Sequence, residues 1–70
     1  MDCVLVTFKN LGIDMKISLS FTANEVLTLL SQLYGVSGSE IRVEPAGIVL
    51  NKNKSLADQR MEHGSILEIV

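Results

Sequence analysis

Residues 62–70 read EHGSILEIV, and they decide the fold. Gly64 breaks the chain locally. After it, Ile66–Val70 is apolar except for Glu68. A short apolar run of this kind is a strand with neighbours on both sides, so its expected place is the centre of a sheet. The chain stops on Val70, within that strand, which is expected to complete the core and hold the carboxylate against the sheet.

The segments outward from it supply the neighbours. CVLVTFK (3–9) is apolar and β-branched, with Val4, Val6 and Phe8 on one face and Cys3, Leu5 and Thr7 on the other. Asn10-Leu11-Gly12 is a turn. IDMKISL (13–19) then alternates, with Ile13, Met15, Ile17 and Leu19 inward and Asp14, Lys16 and Ser18 outward. The two form a hairpin. A final strand lying beside the first must run parallel to it, and a hairpin followed by a helix provides that connection.

The helix is FTANEVLTLLSQLYG (21–35). Thr22 and Glu25 are spaced as a capping box, and Phe21 with Val26 as a hydrophobic staple. Gly35 stops it. Ala23, Val26, Leu30 and Leu33 follow helical spacing, and Leu27, Leu29 and Tyr34 widen the arc. A wide arc fits a partner's groove or, as expected here, a helix sunk into the concave side of a sheet. EIRVE (40–44) is a strand with Ile41 and Val43 inward. Pro45-Ala46-Gly47 turns, IVL (48–50) is a brief strand, and SLADQRM (55–61) is a single helical turn carrying Leu56 inward. The expected class is α+β: hairpin, helix, shorter strands, a mixed sheet with the C-terminal strand central, in one domain spanning 1–70.

Composition excludes several functions. Seventy residues with 47% hydrophobic content make one small core, and with only Phe8, Phe21 and Tyr34 aromatic it must be aliphatic. A net charge of -2 argues against nucleic acid. The second half's basic residues, Arg42, Lys52, Lys54 and Arg60, read as solvated turn charges. Cys3 is a lone thiol, which fits a reducing compartment. No run approaches the ~20 apolar residues of a membrane span. A Met-Asp start is no signal peptide. The expectation is a cytoplasmic protein without membrane insertion. Cys3 and His63 are the one candidate pair for nucleophile and base, but no cleft or oxyanion site is expected with them. One Cys and one His do not complete a tetrahedral metal site. No phosphate loop or hydrolase motif is present. We expect no catalytic residue, no cofactor, no metal and no enzyme.

The hairpin, the capped helix, Ala46-Gly47, Leu50, Ser55-Leu56-Ala57-Asp58 and the ending Ser65–Val70 together resemble ubiquitin. The resemblance implies a β-grasp roll. Its departures bear on function. Ubiquitin and the related sulfur carriers act through a flexible tail ending in two glycines, whereas this sequence ends on Val70, so a conjugated modifier or sulfur carrier is the lesser expectation. Val6, Leu11, Leu27, Leu29, Leu33, Ile48 and His63 stand at ubiquitin's lysine positions. Glu44 and Glu68 stand at two positions of its receptor-binding patch, where only Val70 matches.

A nearer resemblance is to the small YukD/EsaB proteins of Gram-positive type VII secretion loci. VLVTF resembles their opening V-x-V-T-F strand, IDMKISL their second strand, and SLADQRMEHGSILEIV their L-x-D…I-x-x-G-x-x-L-x-[IL]-[LIV] ending. This implies a non-enzymatic cytosolic accessory or regulator of an ESX-like secretion machine. Its implied partners are cytosolic domains of that machine's membrane proteins. The alternative is a ubiquitin-like domain of a larger adaptor or scaffold. The V-x-V-T-F register turns Leu5, Thr7 and Lys9 outward. A gapless alignment with ubiquitin instead turns Cys3 and Leu5 in and Val4 and Val6 out. Either way one outward face of the first strand is unusually apolar. The expected partner-binding residues are Leu5, Thr7, Lys9 and Ile48, with Leu11 at the hairpin tip a further exposed candidate. The oligomeric state is not specified.

Overall fold

A computed structural model describes residues 2–59 and 61–70. Arg60, read above as a turn charge, lies outside them. The chain forms strands β1 (Cys3–Phe8) and β2 (Ile13–Ser18), helix α1 (Ala23–Tyr34), strands β3 (Ile41–Val43) and β4 (Ile48–Val49), one turn of 3-10 helix (Leu56–Gln59), and β5 (Ile66–Ile69). The five strands lie in the order β2-β1-β5-β3-β4. The last strand is therefore central, parallel to β1 (Thr7 against Ile66) and antiparallel to β3 (Val43 against Leu67).

Alternation explains how the sheet closes on α1. Val4, Val6 and Phe8 are buried on one side of β1, which establishes the V-x-V-T-F register and overturns the gapless alternative. They join Ile17, Ile41, Leu67 and Ile69 from other strands and Ala23, Val26 and Leu30 from α1 in one core, completed by Leu50, Leu56 and Met61. The capping box forms as its spacing predicts. Thr22 Oγ1 accepts the Glu25 N–H at 3.1 Å, and Glu25 Oε1 accepts the Thr22 N–H at 2.9 Å. Gly35 ends the helix in the left-handed region, at φ 67°, which a side chain would strain.

Four expectations are corrected. Leu33 is 59% exposed and Tyr34 is exposed beside it, so burial along α1 ends at Leu30 and its last turn is left uncovered. Leu27 and Leu29 are half-buried rather than sunk. Val70 does not complete the core. Ile69 is the last buried residue, and Val70 is held by its backbone, whose carbonyl accepts from Ser39 and Glu40 while its N–H donates to Glu40. Gly38 is what allows that approach, since a Cβ there would collide with the Ile69 side chain. Arg42 is no turn charge but a half-buried strand residue whose Nε lacks a hydrogen-bond partner.

Two polar side chains do structural work that periodicity does not announce. Asn10 Oδ1 accepts the Ile69 N–H at 2.6 Å, so the hairpin tip serves the central strand where β1 no longer reaches it. Gln59 ties the 51–55 loop together. Its Oε1 accepts the Asn51 N–H at 2.6 Å, and its Nε2 faces the carbonyls of Asn51, Lys54 and Ser55 at 2.9, 3.1 and 3.3 Å.

Candidate interaction surface

Among the described residues, no helix covers the face of the sheet turned away from α1. Along β1 this face presents Leu5 and Thr7, with Lys9 just beyond the strand. Leu5 is 38% exposed, Thr7 half-buried and Lys9 exposed. Thr7 Oγ1 donates to Asp14 Oδ1 at 2.6 Å across the β1–β2 pair, which fixes its rotamer. Lys9 Nζ lies 3.3 Å from Glu44 Oε1, reaching over the start of β5 to the end of β3. An exposed pair of this kind is worth little stability, ~0–1 kcal/mol. It does mark one edge of the face.

Ile66 lies between these elements, opposite Thr7 on β1 and beside Glu44, whose N–H donates to the Ile66 carbonyl at 2.9 Å. It is 45% exposed. The apolar run Ile66–Val70 hides this exposed position. The signal was present: Glu68 marks the outward side of the strand, and Ile66 stands two residues earlier, on the same side.

The loop before β5 supports this strip. The Leu5 N–H donates to His63 Nδ1 at 3.1 Å, and the Leu5 carbonyl accepts from Gly64 at 2.7 Å. His63 thus orders the Leu5 backbone. Cys3 is half-buried at the far end of β1, paired with Ser18. Among the described residues, no three His, Cys, Asp or Glu side chains are grouped to hold a metal.

Ile48 belongs elsewhere. It is 62% exposed, but it pairs with inward Val43, so it lies toward the helix side of the sheet. It borders a shallow depression with Val43, Leu50, Asp58 and Gln59. The sheet order puts β4 three strands from β1, roughly 14 Å away. The structure therefore gathers Leu5, Thr7 and Lys9 with Ile66 and separates them from Ile48; Val49 is the β4 residue on the outward face. Leu11 is half-buried and packs against the core, so the hairpin tip offers little apolar surface.

A hairpin, a helix and a central last strand parallel to the first form a recurrent arrangement, and known structures share it along nearly the whole chain. The C-terminal ubiquitin-like domain of mouse tubulin-specific chaperone e superposes with a TM-score of 0.71 at 22% identity, over 96% of this chain and 81% of that one. A designed protein templated on human erythrocytic ubiquitin gives 0.64 at 23% identity, over 100% and 92%. A structure described as molecular mimicry of SUMO that promotes DNA repair gives 0.63 at 18%, over 97% and 88%. The fold is the ubiquitin-like β-grasp. Comparison with protein-family models and with curated proteins gives no match. Among the described residues of this β-grasp domain, no helix is long and apolar enough to cross a membrane.

Proposed function

We propose that this β-grasp domain is a non-enzymatic protein-interaction module. It docks through the outward sheet face at Leu5, Thr7, Lys9 and Ile66, and it serves as a cytosolic accessory or regulator of a type VII, ESX-like secretion machine. One observation carries the docking face. Leu5 and Ile66 remain exposed on two adjacent central strands, where alternation places polar residues if water is the only neighbour. Ile66 stands opposite Thr7, two residues along β1 from Leu5, and Lys9 and Glu44 lie beyond it, a mixture of apolar and polar groups that suits a protein interface. The secretion role is supported by the likeness of VLVTF, IDMKISL and the SLAD…SILEIV ending to the YukD/EsaB pattern.

The test is binding to purified cytosolic domains of type VII membrane components, measured by calorimetry. The unmodified protein binds. Ile66→Glu and Leu5→Glu lose about 2 kcal/mol or more, roughly thirty-fold in Kd, with unchanged circular dichroism and melting. Equal affinity of these variants removes the face. Absence of binding by the unmodified protein removes the secretion role and leaves a larger adaptor as the reading to pursue.

A further inference from the structure

We propose that β2 is a self-association edge: a second copy of this chain adds its own β2 antiparallel, about a two-fold axis at Met15. β2 ends the sheet, so one of its sides is unpaired. The hydrogen-bond phase shows which residues that side offers. The backbones of Leu5, Thr7 and Lys9 bond toward the 63–67 segment, and the Leu19 N–H donates to the Asp2 carbonyl. Val4, Val6 and Phe8 therefore bond toward β2, to Ile17, Met15 and Ile13. This leaves the peptide groups of Asp14, Lys16 and Ser18 turned to the free edge. The Ser18 carbonyl is already taken by the Phe21 N–H at 3.2 Å. Asp14 and Lys16 are the usable pair.

Their side chains select the register. A two-fold pairing can use the free peptide groups only if 14, 16 or 18 of one copy stands opposite 14, 16 or 18 of the other. Centred on residue 14, the pairing opposes Asp14 to Asp14. Centred on residue 16, it opposes Lys16 to Lys16. Centred on Met15, it opposes Asp14 to Lys16 twice, and each such pair also exchanges both of its backbone hydrogen bonds. On the helix side, the same register stacks Met15 on Met15 and Ile13 on Ile17. Ile13 and Met15 are half-buried at this edge and would lose water on pairing. The stretch IDMKI is thus self-complementary about Met15, as an isologous interface requires. A lone edge lysine normally guards against pairing. Lys16 has no ion-pair partner among the described residues, and the second copy supplies one. This association leaves Leu5 and Ile66 uncovered, and although Asp14 also accepts from Thr7 Oγ1, its readout is self-association and not partner binding.

Sedimentation velocity from micromolar to millimolar protein, with circular dichroism of every variant, is the test. The unmodified protein forms a reversible dimer. Asp14→Lys and Lys16→Asp each associate roughly ten-fold or more weakly, because like charges then face each other twice. An equimolar mixture of the two dimerises again, since every pair across that heterodimer is Lys against Asp. Should either variant not fold, amide exchange on the unmodified protein decides: protection at Asp14 and Lys16 rises with concentration. A monomer at millimolar concentration, single variants that dimerise normally, a mixture that stays monomeric, or exchange at these amides independent of concentration each overturns the proposal.

Discussion

Gln59 shows how much one side chain can organise in so small a domain. Its carboxamide spans the 51–55 loop through four hydrogen bonds to backbone groups. Gln59→Ala should destabilise the fold by ~1–2 kcal/mol, because water replaces only some of those bonds at a half-buried site. Urea denaturation would show it as a lower midpoint at unchanged slope. Neither this residue nor Asn10, which caps the Ile69 N–H, was legible in the sequence. Gln and Asn are ordinary loop residues, and nothing local says which distant backbone group they will meet. Ile66 differs. Its outward position was written in the alternation with Glu68 but was masked by the apolar run around it.

At the scale of the element, α1 was the best-determined feature, since its start, stop and cap are local chemistry. Thr22→Ala removes the capping box and should cost about 1 kcal/mol, a fall in Tm of roughly 4–8 °C for a domain of this size. Thr22→Ser, which keeps the hydroxyl, should fall by much less; thermal denaturation of the pair separates capping from packing. Which residues of α1 are buried was less legible. Spacing placed Leu33 with Ala23, Val26 and Leu30, yet Leu33 is exposed, because burial depends on how far the sheet extends beneath the helix. The strand register of β1 likewise needed the neighbouring strands. Both registers alternate apolar residues acceptably, and only packing against α1 selected Val4, Val6 and Phe8.

For the whole molecule, β5 is the element on which both halves close. Leu67 is fully buried between β1 and β3, so Leu67→Ala should cost ~2–5 kcal/mol. A domain of this size has little stability beyond that, so the variant should be largely unfolded by circular dichroism at room temperature. Ile66→Ala, one residue away on the open face, should stay within about 0.5 kcal/mol of the parent. The sequence by itself determined the order of elements, the cap and stop of α1 and the central place of Ile66–Ile69, because hydrophobic period, capping chemistry and turn residues act over a few neighbours. Tertiary structure alone decided which apolar residues meet on a surface. It set Ile66 opposite Thr7 on the face that also carries Leu5, moved Ile48 to the other side of the sheet, and made β2 an edge, with Asp14 and Lys16 as opposite charges about Met15. Those relations depend on strand order and on pleats brought together from distant parts of the chain, and no local preference encodes them.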